Sequence, residues 1–480
     1  MTSPAAKTGP SIPGVLIPLA IGAAIALTPV PSGLPPNAWY YFALFTAVIV
    51  AIIAEPFPGA ALGLAGIALA AVLGLVRASP AEATSWALSG FANSTVWLIF
   101  AAYMFALGYS KTGLGRRIAL QLIRVMGHRT LGLSYAITLA DLVLAPFTPS
   151  ASARSGGTIY PIIRNIPALY GSQPNDESAR KIGAYLLYSA VATSMVTSSM
   201  FVTALAPNAL AMSLIAKIIN VTIPWLDWFK GFAPVGILLL LVTPILLYKI
   251  YPPAIKEAPE APRWAADQLR QMGPVTRPEI TLLVLVILAL TLWIGATAYL
   301  DAAMGAIVVV VLMVLVRVLS WNDIIGHAQA WNVLIWFATL VTLASGLVET
   351  GFVAWFSQSI APALSGLSLY TTIVGLLAAF YFTHYFFASI TAHTAALFPV
   401  FLAIAVEIPG VSPTRWALLL GYSLGLMGIL TTYGSGQAAI YYGSGYIKRK
   451  DFFVLGLVMG LVFFIVYVGI IVPWLAFLGI

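Results

Sequence analysis

The chain has 480 residues, 61% of them apolar and only 8% charged, with a formal net charge of +8. Soluble domains carry about 25% charged residues, so the composition excludes a soluble enzyme or binding module and points to an integral membrane protein. With no cysteine in the sequence, disulfides and thiolate metal sites are excluded as well.

The N-terminal segment holds one early lysine, Lys7, and several prolines, and it runs straight into a span without the pattern of a cleavable signal. In chain order, apolar segments are predicted near 14–30, 38–54, 58–76, 94–110, 183–216, 233–250, 279–297, 302–319, 332–347, 415–443 and 453–477. Their lengths suit a bilayer core, and interspersed Gly and Pro argue for helices over a barrel. The expected fold is therefore an all-α polytopic membrane protein with about eleven crossings. Two further apolar stretches, 131–168 and 370–405, carry a polar break in the middle and are predicted as re-entrant hairpins, because irregular backbone at membrane depth must line a protein cavity. The Pro-rich and charged segment 251–278 is predicted as a cytoplasmic linker.

Counting basic residues orients this scheme. With the N-terminus cytoplasmic, the inside loops hold 18 Lys and Arg, the outside loops hold only Arg77, Lys217, Lys230 and Arg415, and Arg154 stays in the membrane. That asymmetry is the topology signal of a multi-pass inner-membrane protein, not a nucleic-acid footprint.

Several segments recur about half a chain apart. Residues 107–114 align with 345–352, Tyr160-Pro161-Ile162 with Phe398-Pro399-Val400, and 203–208 with 432–437. The most telling pair is Ser150-Ala151-Ser152-Ala153-Arg154-Ser155 and Ser389-Ile390-Thr391-Ala392-His393-Thr394. The expected organisation is an extra first helix (1–37), a first repeat (38–250, hairpin 131–168), the linker 251–278, and a second repeat (279–480, hairpin 370–405). An odd number of crossings per repeat inverts the second copy, a secondary-transporter plan.

At the first hairpin, Pro146-Phe147-Thr148-Pro149 ends any helix, and Ser150 or Ser152 can cap the returning one near Ala153. Ser389 or Thr391 plays that part in the second hairpin. Helix N-termini at two such tips suit a carboxylate. The candidate substrate-binding residues are Ser150, Ala151, Ser152, Arg154, Ser389, Ile390, Thr391 and His393, with Thr203, Asn208, Ser435 and Gln437 from the breaks near Pro207 and Gly434-Ser435-Gly436. Arg154 offers a fork for a carboxylate, or else forms a structural salt bridge with Asp141. His393 is either a functional group, neutral or proton-carrying, or a core histidine, and His384 reads as a core histidine. Asn208 and Gln437 either donate to substrate or satisfy frayed backbone. No metal-ligand spacing or cofactor fingerprint is present in the sequence, so no cofactor is expected.

At these motifs the chain resembles the divalent anion/sodium symporter family, within it the dicarboxylate exchangers of the citrate/succinate and 2-oxoglutarate/malate type. The resemblance rests on 145–150, 153–157, 387–394 and 93–97. It implies a homodimer of eleven-helix protomers, each with a scaffold and an elevator-like transport domain. Family members carry Ser-Asn-Thr at each hairpin tip, whereas this chain has Ser150-Ala151-Ser152 and Ser389-Ile390-Thr391. Both asparagines are missing, and in the exchanger branch fixed cations are thought to replace sodium, where Arg154 and His393 stand. The expected activity is sodium-independent exchange of di- or tricarboxylates such as malate, succinate, 2-oxoglutarate, citrate or tartrate, with sodium- or proton-coupled symport as the alternative. A membrane-embedded enzyme has only Asp141, His384 and His393 to draw on.

Overall fold

The computed structural model describes residues 12–296, 299–364 and 368–480, with backbone alone over 361–364. Residues 1–11 with Lys7, and the end of the predicted span at 297, lie outside the described residues.

Helix α1 (Ile12–Leu27) precedes two runs of elements in matching order. The first run is α2 (Pro36–Ala54), α3 (Gly59–Val72), α4 (Pro80–Leu88), α5 (Ser94–Thr112), α6 (Leu114–Met126) and α7 (Thr130–Leu144). It continues after a tip with α8 (Ala151–Arg154), α9 (Tyr160–Ile163), α10 (Gly183–Met200), α11 (Ala206–Ile219) and α12 (Trp225–Ile250). Helix α13 (Glu260–Met272) stands alone. The second run is α14 (Arg277–Gly295), α15 (Ala302–Leu315), α16 (Trp321–Gly326), α17 (Ala328–Glu349), α18 (Phe352–Leu364) and α19 (Leu369–Phe382). It ends with α20 (Ile390–Val406), α21 (Pro413–Leu426), α22 (Gly436–Gly443) and α23 (Arg449–Phe477). With α8 and α9 taken together as the counterpart of α20, α7 and α19, α10 and α21, and α12 and α23 hold the same rank in their runs.

Among the described residues eight helices are long and apolar enough to cross a membrane, and five further apolar helices are shorter. The outer faces of several carry apolar stripes at helical spacing: Ile280, Val284 and Ile287 on α14, Met304, Val308, Val311 and Leu315 on α15, and Val454, Leu457, Leu461 and Ile465 on α23 are all exposed. Exposed stripes of that kind need an apolar solvent. The chain is a multi-pass membrane protein.

Helices α6 and α13 were not anticipated from the apolar runs. Helix α6 buries Leu114, Ala119, Leu120 and Ile123 and leaves Arg116 and Arg124 exposed. It packs on α13, where Arg116 donates to Gln268 at 2.6 Å. Arg117 grips Glu279 with two bonds of 2.6 and 3.2 Å and also donates to the Gly273 and Pro274 carbonyls. The expected linker is therefore a folded clamp. Arg117–Glu279 joins the two runs, and among the described residues two further ion pairs do the same. Lys111 at the end of α5 meets Asp323 of α16, and Arg77 before α4 meets Glu349 at the end of α17 at 2.5 Å. Lys111 and the Ser320 amide and hydroxyl hold the Asp323 carboxyl down at about 2.

The two interrupted helices α10 and α21 cross at backbone contact. A Cβ on Gly425 would lie 2.7 Å from the Ser199 amide nitrogen and 2.8 Å from the Met195 carbonyl oxygen. Backbone cannot step aside as a side-chain tip can. Gly425→Ala is expected to lower stability by about 1–3 kcal/mol through overpacking, read as an earlier melt of the purified protein. Gly469→Ala, where a Cβ would meet nothing within 4 Å, is the neutral control.

Candidate functional site

Four interruptions of helix meet around one cavity of about 310 Å3. Its lining takes Pro149, Ser150, Ala151 and Ser152 from the first hairpin tip and Ala388, Ser389, Ile390 and Thr391 from the second. Leu205, Ala206 and Pro207 come from the break between α10 and α11, and Ser435, Gly436 and Gln437 from the break before α22. Tyr103 of α5 with Val333, Trp336 and Phe337 of α17 form the remaining wall.

Each helix start is made locally. At the first tip, a 3-10 turn over Ala145–Phe147 ends the arm α7. Ser150 then accepts from the Ala153 amide at 3.1 Å and caps α8. This arm widens into a π-helical turn over Ser155–Ile159, in which the Tyr160 amide reaches back to the Ser155 carbonyl. Pro161 lacks the amide that would bond the Gly157 carbonyl, and Gly156-Gly157 tolerates the wider turn. At the second tip Ser389 caps α20 by accepting from the Ala392 amide at 3.4 Å. Ser435 caps α22 in the same way, from the Ala438 amide at 3.2 Å. Helix α11 starts at Ala206 and Pro207 without a side-chain cap.

The first amides of a helix have no acceptor within it, and here four such starts border one space. Each carries up to about half a positive charge, so together they approach the charge of a dianion. Among the described lining residues there is no Asp, Glu, Lys or Arg. The cavity can thus hold an anion by backbone dipoles and hydroxyls. Gln437 adds an amide donor that is engaged only by the Met195 sulfur at 3.2 Å, a weak acceptor.

The two expected cations do not line this cavity. Arg154 is wholly buried and spends all five guanidinium donors inside the protein. Its Nε donates to Asp141 at 2.9 Å, Nη1 to the Thr148 and Ala204 carbonyls, and Nη2 to Thr197 and Ser198. Asp141 is buried as well and takes a further bond from Thr197. The charge of Arg154 is therefore cancelled by Asp141, so the guanidinium does not face the cavity as a free counter-charge; it ties the tip to α7, α10 and the first break.

His393 is also fully buried, its Nδ1 3.2 Å from the Nδ1 of His384. His384 Nε2 sits 3.0 Å from the Gly434 carbonyl. Asn208 donates to the Ser198 and Phe201 carbonyls, and Thr203 donates to the Pro146 carbonyl at 2.6 Å while accepting from Trp225. Both sit behind the cavity and fasten the first break. Of the twelve sequence candidates, eight line the cavity: Ser150, Ala151, Ser152, Ser389, Ile390, Thr391, Ser435 and Gln437. Arg154, His393, Thr203 and Asn208 form the layer behind.

Sequence reasoning missed Tyr103, Trp336 and Phe337, since no motif marks an aromatic residue in an apolar helix. It also set His384 apart from the site. A signal existed: Asp141 and Arg154 flank the first tip, as His384 and His393 flank the second.

A family model described as the transmembrane region of sodium:sulfate symporters matches residues 11–480. The chain belongs to that sodium:sulfate symporter family. Relatives named L-tartrate/succinate antiporter, from Shigella sonnei (strain Ss046) and Escherichia coli (strain K12), are 49% identical over 465 residues, covering 94% of this chain and 96% of theirs. Two solved transporters share the fold at low identity. The YdaH transporter of Alcanivorax borkumensis aligns with a TM-score of 0.59 at 13% identity, over 92% of this chain and 99% of its own. MtrF of Neisseria gonorrhoeae aligns at 0.55 and 12% identity, over 92% and 96%. The family and these relatives are transporters.

Proposed function

We propose that this protein is a sodium-independent antiporter that exchanges C4 dicarboxylates of the succinate and tartrate class across the bacterial inner membrane. The carrying observation is the convergence of four helix starts on one cavity with hydroxyl and amide groups and no lining carboxylate. The relatives named L-tartrate/succinate antiporter support the same substrate class. One carboxylate would be held by Ser150, Ser152 and the amides of Ala151 and its neighbours. The other would be held by Ser389, Thr391 and the amide of Ile390, with Ser435 and Gln437 closing the side.

In this reading residues 38–250 and 279–480 are inverted repeats whose hairpins and broken helices move together, as an elevator, against a scaffold. The protein works as a homodimer with its N-terminus in the cytoplasm, the orientation favoured by the basic-residue asymmetry. Exchange follows from charge. Empty, the site would carry four uncompensated helix starts through a low-dielectric path, which is costly. A bound dianion offsets them, so the loaded site crosses more easily, and no cation is required.

Uptake of labelled succinate into proteoliposomes tests this. Vesicles preloaded with succinate or tartrate should take up label at least on the order of tenfold faster than empty ones, with or without sodium. Rapid uptake into empty vesicles that depends on sodium would overturn the exchange reading.

A further inference from the structure

In the first run one guanidinium spans from the hairpin arm to the break, since Arg154 bonds the Ala204 carbonyl directly at 3.1 Å. In the second run His393 occupies the matching place one turn into α20, and an imidazole is too short for that span. The gap is filled by His384, which meets His393 nitrogen to nitrogen with the two rings 16° from parallel. We propose that His384 is a positioning residue for the anion site, a strut that sets the distance between the second tip and the second break.

The bonding order follows from chemistry. A carbonyl only accepts, so His384 Nε2 carries the hydrogen that reaches Gly434. Its Nδ1 is then bare and accepts from His393 Nδ1–H. Phe387 stacks on His393 at 4.9 Å and Phe380 lies 4.7 Å away, so the ring cannot swing aside. His393 Nε2 is left buried with no partner among the described residues. The chain of contacts thus runs from Ser389 and Thr391 at the start of α20, through His393, His384 and Gly434, to Ser435 and Gln437. Both ends of that chain line the cavity, while the two histidines do not.

Gly434 makes the strut testable from its other end. A Cβ there would lie 2.8 Å from His384 Nε2 and from Thr431 Oγ1, so Gly434→Ala presses the ring off its carbonyl, along with the Thr431 hydroxyl, without altering either histidine. The inference rests on the dicarboxylate reading of the cavity. Wild-type protein that neither exchanges nor is stabilised by succinate would fail that reading itself; a working wild type with indifferent variants would fail only the strut.

The experiment compares His384→Leu, His384→Gln, Gly434→Ala and the Leu/Ala double variant in succinate exchange, scored per unit of folded protein. The expected result is a KM raised about tenfold in His384→Leu and Gly434→Ala, with maximal exchange changed much less. His384→Gln, which can still donate to the Gly434 carbonyl and accept from His393, should recover most of the affinity. The double variant should be no worse than the poorer single, because both break one link. If His384→Leu does not fold, Gly434→Ala against His384→Gln carries the comparison. Wild-type KM in Gly434→Ala, or a KM in His384→Gln as high as in Gly434→Ala, overturns the proposal. A fall in yield with unchanged KM means a merely structural histidine and overturns it too.

Discussion

Arg154→Gln is expected to lower thermal stability far more than it lowers succinate affinity in whatever protein remains folded. The substitution leaves the Asp141 carboxylate buried with only hydroxyl support, and it strips donors from the Thr148 and Ala204 carbonyls. Breaking a buried pair from one side costs about 3–5 kcal/mol, most of it from the stranded charge. The double variant Asp141→Asn/Arg154→Gln removes both charges and should melt above either single variant, an interaction energy that only contacting residues display. Melting of the detergent-purified protein, with exchange scored per unit of folded protein, reads both quantities. Were Arg154 the counter-charge of the substrate, the single variant would melt near wild type, and the double variant would be as inactive as the single.

The pair also explains why sequence and structure part at this point. An arginine among small hydroxyl residues in an apolar chain is costly enough to demand a partner, and both a bound anion and Asp141 meet that demand. Asp141 and Arg154 lie 13 positions apart, and the chain between them folds back through Pro146-Phe147-Thr148-Pro149, a reversal that brings the two side chains together. Where backbone chemistry decides, the sequence was readable. Prolines, glycines and Ser caps placed both tips and both breaks close to where α8, α11, α20 and α22 begin.

Amphipathic surface helices were harder to see. In α6 the buried positions Leu114, Ala119, Leu120 and Ile123 follow a helical period, but a search for long apolar runs passes over them. His384 was hidden for a different reason. Its partner is a backbone carbonyl 50 residues away, and a carbonyl leaves no mark in sequence.

The contact between the two runs of helices leads to the second large effect, expected for Gly436→Ala. A Cβ on this first residue of α22 would fall 2.1 Å from Ser152 Oγ and 3.0 Å from Ser152 Cβ. The second break and the first tip are therefore in direct contact across the cavity wall, with no room for a methyl group. Rotating the Ser152 hydroxyl away relieves only the nearer clash, so the tip itself must shift. A site that holds two carboxylates at fixed spacing tolerates such a shift poorly, since a displacement near 1 Å can cost on the order of a hundredfold in a well-oriented process. Exchange in Gly436→Ala should accordingly fall by about ten- to a hundredfold, and Gly436→Val should be inactive. Gly443→Ala, at the far end of the same helix where a Cβ meets nothing within 4 Å, should exchange like wild type. Adding Ser152→Ala to Gly436→Ala removes the closer clash and separates two roles of that serine. Recovery of exchange in the pair assigns Ser152 to packing against the break; continued failure, with Ser152→Ala alone also impaired, assigns its hydroxyl to the anion.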